Sequence, residues 1–288
     1  MGTEIEDVLS DSLQTLYGFT PITHGSAGSS FTYTIPDTLL DKVPHLDSPT
    51  VTLITPETQS SNWSLHASSI WVSALFIADH LAELKIEHHA EVARHQGLPL
   101  RVLELGAGAG LPGILISMAY REVSVVSSDY PDENLMNTLR LNAKSNGVSD
   151  RCSIVPHAWG EDPSGLLTAT PLSPQSPSTI NSSGFDVIVA ADTLWNSSLH
   201  ESFLNTLAST LRKTSDSRVY LVAGLHTGRY TLQSFIDLVP RFGLRVEELR
   251  ERLVGGSERR DWDVTRAEGE DEQERRKWVL WISLAWTP

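Results

Sequence analysis

The chain has 288 residues, 40% hydrophobic and 20% charged, with a formal net charge of −14. That length suits one large α/β domain with decoration, and with no apolar run near the ~20 residues that cross a bilayer, no membrane span is expected. The acidity argues against nucleic acid, whose phosphates need a basic face, and is compatible with a basic protein partner.

The single cysteine, Cys152, excludes an internal disulfide and any multi-cysteine zinc site. The opening "MGTEIEDVLS" is acidic and lacks the apolar segment of a secretory leader. Glu6 stands where a myristoylation signal needs Ser or Thr. A reducing, cytoplasmic setting is the expectation. Residues 1–64, rich in Thr, Ser and Pro with short apolar runs such as "TVTLIT", read as an irregular leader, and residues 65–288 as the domain proper. In "SSIWVSALFIADHLAEL", Ile70, Trp71, Ala74, Leu75, Ala78, Leu81 and Leu84 recur at three and four, which predicts a helix with one buried face, capped by Ser68 or Ser69. "IEHHAEVARH" carries His88, His89 and His95 without metal-ligand spacing and reads as exposed surface, so no metal site is expected.

From Leu100 strand and helix patterns alternate. "LRVLEL" is a strand, "LPGILISMAY" a helix with Pro112 in its first turn, "VSVVSS" a strand, and "DENLMNTLRLNAKSN" a helix ended by Gly147. "CSIVP", "FDVIVA" and "RVYLVAG" continue as strands, with helices at "HESFLNTLASTLRK" and "YTLQSFIDLVPRFG". "LRVEELRERL" and "KWVLWISLAW" close the series. The pattern predicts a doubly wound, mostly parallel seven-stranded sheet with helices on both faces and an antiparallel last strand. Two stretches interrupt it: a Ser/Pro-rich surface insertion at 161–184 and a mixed-charge segment at 255–277, expected as a solvated hairpin loop.

In an open parallel sheet, ligands sit beyond the carboxyl ends of the strands. At the first such turn, "LELGAGAGLPG", two glycine patterns overlap: G-x-G-x-G at Gly106, Gly108 and Gly110, and the dinucleotide fingerprint at Gly108, Gly110 and Gly113. Either lets backbone approach a ligand, and the helix that follows offers N–H groups to a phosphate or a carboxylate. Glu104 breaks the tie, because a carboxylate there suits an ammonium and is poor beside a pyrophosphate. Asp129, at the end of the second strand, is placed for ribose hydroxyls of either ligand. Trp159, after the third strand, is placed against a purine. None of the six tyrosines has a lysine four residues later, as a short-chain dehydrogenase requires. The ligand implied is S-adenosylmethionine.

"VLELGAGAGLPG", "SSDYPDENLMNTLRLN", "HAWGED" and "FDVIVAADTLWNSSLH" together resemble, in order and spacing, the motifs of class I S-adenosylmethionine-dependent methyltransferases, the seven-β-strand lysine methyltransferase group in particular. Asp-Tyr-Pro-Asp at 129–132 and Trp-Gly at 159–160 resemble the fungal branch described as nicotinamide N-methyltransferase-like and as the elongation factor 1-alpha N-terminal and lysine methyltransferase. The resemblance implies that Trp71 closes over the cofactor and that Gly106, Ala107 and Gly108 line its methionine moiety. Ala191 stands where relatives often carry serine, which leaves backbone contact alone at that point. Asp192, Trp195 and Asn196 are then the expected acceptor side, and the acceptor is a basic protein, by lysine or N-terminal amine, or a small heterocyclic amine such as nicotinamide. A non-catalytic cofactor-binding module and a dinucleotide oxidoreductase are the competing readings.

Overall fold

The computed structural model describes residues 21–40, 49–169 and 184–288. Most of the expected Ser/Pro insertion and much of the leader lie outside these residues. Runs of Val, Leu and Ile without polar alternation form strands covered on both faces, as parallel sheets require. The leader contributes three short strands, β1 (Thr23–His24), β2 (Ser30–Thr34) and β3 (Thr50–Ile54), and β4 (Ile70–Trp71) follows just beyond it. The main sheet is built from β5 (Arg101–Leu105), β6 (Ser124–Asp129), β7 (Cys152–Pro156), β8 (Val187–Ala191), β9 (Arg218–Gly224), β10 (Leu244–Leu253), β11 (Arg259–Asp261) and β12 (Trp278–Trp286). Helices α1 (Val72–Asp79), α2 (Ile86–His95), α3 (Leu111–Ala119), α4 (Glu133–Ser145), α5 (Ser164–Thr168), α6 (His200–Thr210), α7 (Arg229–Leu238) and α8 (Glu272–Arg276) surround it.

The strand order is β11-β10-β12-β9-β8-β5-β6-β7. Strands β5 to β9 pair in parallel, and β12 runs antiparallel between β9 and β10. The expected seven strands are therefore present, and an eighth, β11, is added by the charged 255–277 segment. Its sequence is Arg-Arg-Asp, which carries no apolar signal. The chain runs outward from β5 to β7 and then returns to β8 beside β5, so the ordering reverses between β5 and β8. That is where a crevice opens. Successive residues of β5 feed opposite cores, Val102 packing with Ile77, Ile114 and Val125, and Leu103 with Val126, Ile188 and Phe203.

The described part of the leader is sewn to this sheet. Inward residues Tyr33, Val51 and Leu53 of the β2–β3 hairpin join the first core. The Asn142 side chain on α4 accepts from the Ile54 N–H at 2.8 Å and donates to its carbonyl at 2.8 Å. Asp132 caps α4 through the Leu135 N–H at 3.1 Å, and its other oxygen accepts from the Gln59 N–H and the Asn62 amide at 3.0 and 2.8 Å.

Two local expectations are corrected. The helix expected from Ser68 or Ser69 begins at Val72, because Ile70 and Trp71 are drawn into an antiparallel bridge with β1; Trp71 becomes the N-cap and is not on the helix's buried face. His89 is buried, its Nε2 3.3 Å from the Tyr220 hydroxyl, because that turn of α2 packs on the sheet. Burial holds its imidazole down at about 4.

The 255–277 segment is more than a solvated loop. Arg229 of α7 meets Glu251 of β10 in a two-pronged pair at 2.7 and 2.8 Å and Glu270 through two further bonds at 2.7 and 2.9 Å. Arg260 and Arg266 add bonds to Glu251 at 2.7 Å each. Burial alone would raise the Glu251 carboxyl, but the surrounding guanidiniums, Arg229 foremost, hold it below its ordinary range. Glu251 and Arg229 side chains are fully inaccessible. Removing Arg229 takes from both buried carboxylates their one fully inaccessible partner and leaves them only the partly exposed Arg260 and Arg266. The expected result for Arg229→Ala is a loss of about 3–5 kcal/mol of unfolding free energy, read by urea denaturation. A change under about 1 kcal/mol, the scale of an exposed ion pair, would contradict this reading of the network.

Candidate active site

A cavity of about 420 Å³ opens at the carboxyl ends of β5, β6 and β8. Its lining brings together Trp71, Glu104, Gly106, Ala107, Gly108, Asp129, Trp159, Ala191, Asp192 and Trp195, which is every residue expected at the site except Asn196. Among the described residues that line it there is no lysine or arginine.

Glu104 lies on β5 and is only 2% exposed. It accepts from the Ser127 hydroxyl of β6 at 2.6 Å and from the Gly113 N–H in the first turn of α3. Burial pushes its carboxyl up to about 7, against the pull of those two donors. A Cβ at position 113 would run into the Glu104 carboxylate and the Ser127 hydroxyl. The last glycine of the fingerprint thus lets α3 close on a buried acid, a role that has nothing to do with a pyrophosphate. Gly108 has φ +55° and faces open space, and its N–H donates to Asp129 Oδ2 at 2.7 Å. Asp129 Oδ1 accepts from the Tyr130 N–H at 2.7 Å, and burial pushes this carboxyl up to about 6. Two acids with no cation beside them therefore face the glycine turn.

At the other end stands Asp192, with φ +53°, a conformation that costs a residue with a side chain roughly 1–3 kcal/mol. Its N–H donates to the Val222 carbonyl at 2.8 Å, and Oδ1 accepts from the Gly224 N–H at 2.9 Å. Oδ2 is buried with no hydrogen-bond partner, and so is the hydroxyl of Thr193. Around it stands an aromatic wall. Trp71 stacks on His226 at 5.2 Å and 17°, and its indole N–H donates to the His66 carbonyl at 2.7 Å. His66 in turn meets Trp195 edge-on at 5.2 Å. Trp159 packs against Phe203 at 4.6 Å and borders the cavity beside Tyr130 and His157.

Asn196 does something else. Its Oδ1 accepts from the N–H and hydroxyl of Ser198 at 3.1 and 2.7 Å, capping the turn at Ser197–Leu199. This binds its side chain into the turn and leaves it outside the lining. Sequence reasoning passed over His66, Thr193, Tyr130 and His226. His226 had a usable signal, two residues beyond the β9 strand end in "AGLHTG"; His66, in an irregular segment, had none.

The profile of a family described as lysine methyltransferase matches residues 51–241. The protein N-terminal and lysine N-methyltransferase of Cryptococcus neoformans is 30% identical over 156 residues, which is 53% of this chain and 45% of that protein. The enzyme of the same name from Gibberella zeae is 28% identical over 198 residues, covering 65% of this chain and 69% of its own length. That from Schizosaccharomyces pombe is 25% identical over 191 residues, with 65% and 68% covered. The chain thus spans a little under half the length of the Cryptococcus relative.

The raised Glu104 carboxyl has a consequence for the free protein. Its folded value of about 7 lies above the ordinary 4.5, so folding favours the protonated form. The stabilisation is complete below pH 4.5 and is lost as pH rises through 7, at up to about 1.4 kcal/mol per pH unit between those limits. Asp129 adds a loss of the same sign up to about pH 6. In Glu104→Gln, urea denaturation at pH 5, 6 and 7 is expected to give a visibly shallower decline than the wild type. Equal slopes would mean that the Glu104 carboxylate is solvated or paired with a cation.

Proposed function

This chain belongs to the lysine methyltransferase family, and from that premise we propose that it is an S-adenosylmethionine-dependent N-methyltransferase acting on a protein amine, a lysine side chain or an N-terminus, in a reducing, cytoplasmic setting. The observation that carries the reading is the cavity's charge: three carboxylates, Glu104, Asp129 and Asp192, and no lysine or arginine in the lining among the described residues. Such a surface receives a cation and repels a diphosphate.

The fit to the donor is made residue by residue. Glu104 takes the ammonium of its amino-acid part, which restores to the buried carboxylate the charge partner it lacks. Gly106, Ala107 and Gly108 line the same part with backbone, and Ala191 adds backbone from β8. Asp129 accepts from the ribose hydroxyls, Trp159 borders the adenine, and Trp71 covers the mouth. When bound, the donor supplies an already activated methyl group, so this chain's work is to align the acceptor nitrogen. Asp192 presents the unpartnered Oδ2 to an amine, and Trp195 offers a ring face to its cation or carbon stem. Asn196 shapes the turn that carries Trp195. The charge of −14 supports a basic protein as acceptor, as do the activities for which the relatives are named.

Thermal unfolding with S-adenosylhomocysteine and with NAD separates the ligand classes. At a hundred times its dissociation constant the former is expected to add about 2.7 kcal/mol, and NAD nothing. Asp129→Ala is expected to weaken the homocysteine nucleoside about tenfold or more, in line with two lost charge-assisted hydrogen bonds. Labelled methyl transfer offered whole-cell protein and nicotinamide side by side is expected to mark protein. Stabilisation by NAD alone, or label in nicotinamide alone, would overturn the cofactor or the acceptor class respectively.

A further inference from the structure

An amine acceptor arrives as an ammonium ion and has no lone pair until it loses a proton. Asp192 binds that cation, but a carboxylate beside an ammonium favours the protonated form and so holds the proton in place. Some other group has to take it. Among the described residues at the acceptor end of the cavity, the side chains able to do so are His226 and His66.

His226 is the better placed. Its Nε2 stands 3.9 Å from Asp192 Oδ1, on the same carboxylate whose other oxygen is buried and unpartnered. Its ring lies nearly parallel to Trp71, 5.2 Å between centroids, so an imidazolium formed there has an indole face on one side and a carboxylate on the other. Its position is sterically built. A Cβ at Gly224 would run into the His226 ring, so β9 ends in the residue that lets the ring fold back over Asp192. The side chain is 15% exposed, enough to pass a proton on to water. His66 stands at right angles to Trp71 and Trp195, with ring centroids 6.2 and 5.2 Å away.

Resting on the function proposed above, we infer that His226 is the general base of the reaction, taking a proton from the acceptor ammonium held on Asp192. In that step an N–H bond of the ammonium breaks, a bond from His226 Nε2 to hydrogen forms, and the electron pair stays on the amine nitrogen. The pair then bonds the methyl group, whose former bonding electrons remain on sulfur. The imidazolium is steadied by Asp192 and Trp71 and returns its proton to solvent. The ionisable groups that face His226 are these. Asp192 comes from the β8 end, and His66 stands behind Trp71 in the segment before β4. Glu104, Asp129, Tyr130 and His157 line the rest of the cavity among the described residues. Arg229, on the following helix, is held by Glu251 and Glu270.

The test compares wild type, His226→Gln and His226→Asn in labelled methyl transfer from S-adenosylmethionine to whole-cell protein between pH 6 and 10. Calorimetric binding of S-adenosylhomocysteine is measured in parallel. Both variants are expected to bind S-adenosylhomocysteine within about twofold of wild type. They are expected to lose tenfold or more in kcat near pH 7 and to approach wild type near pH 10, where the amine deprotonates unaided. As a readout independent of turnover, the His226 ring signal of the wild-type S-adenosylhomocysteine complex is expected to move toward the imidazolium position when n-butylamine, a lysine side-chain mimic, is added. A variant loss that is equal at every pH, variants with wild-type rates, or a ring signal indifferent to the amine would overturn the assignment. A wild type that binds S-adenosylhomocysteine but labels no protein would instead defeat the proposed function, and this inference with it.

Discussion

Buried acids without cations are the constraint around which this structure is arranged. Glu104, Asp129 and Asp192 stand at or just beyond the ends of three adjacent strands, β5, β6 and β8, in a crevice that no lysine or arginine of the described residues lines. Desolvating a carboxylate is expensive, and the chain meets part of that cost with fixed donors: Ser127 and Gly113 for Glu104, Gly108 and Tyr130 for Asp129, Gly224 for Asp192. What remains unmet, the raised carboxyls and the orphaned Asp192 oxygen, is the capacity to bind. The glycines follow from the acids. Gly113 makes room for Glu104, Gly108 turns its N–H onto Asp129, and Gly224 admits His226 beside Asp192.

The β10–β11 edge of the sheet shows the opposite solution. Glu251 and Glu270 are as deeply buried, yet Arg229, Arg260 and Arg266 close around them, and that region is filled with protein. One fold thus holds carboxylates in two regimes. Paired, they lock the β10–β11 hairpin onto α7; unpaired, they leave a cavity. The aromatic wall of Trp71, His226, His66 and Trp195 covers the unpaired end, and Trp71 reaches it because β1 holds it in an antiparallel bridge. Leader and domain therefore meet at the site, with Asp132 and Asn142 of α4 as the rivets.

How much of this is legible in the sequence depends on how local the cause is. Strands β5 to β9 and β12 are legible because each carries a run of apolar residues long enough to stand alone, and Glu104, Asp129 and Asp192 are legible because each stands at or just after such a run. Strand β11 is invisible, since Arg-Arg-Asp has no apolar residue and pairs with β10 across a short turn, held by ion pairs that leave no periodicity. The start of α1 is not legible because Ile70 and Trp71 fit a helical pattern and are taken by the much earlier strand β1, in the register of Thr23 with Trp71 and His24 with Ile70. Asn196 joins Asp192 on the expected acceptor side through the resemblance of the stretch after β8, and only the turn geometry shows its side chain bent back onto Ser198. His226 lies 34 residues beyond Asp192 and meets it only through the parallel pairing of β8 with β9.

The ligand of the crevice is the most direct test. A crystal grown with S-adenosylhomocysteine and NAD in equal excess should show an amino-acid nucleoside, its ammonium against Glu104 and its ribose hydroxyls on Asp129. Diphosphate density over the Gly106 turn, with Glu104 swung aside, would contradict the account at its root.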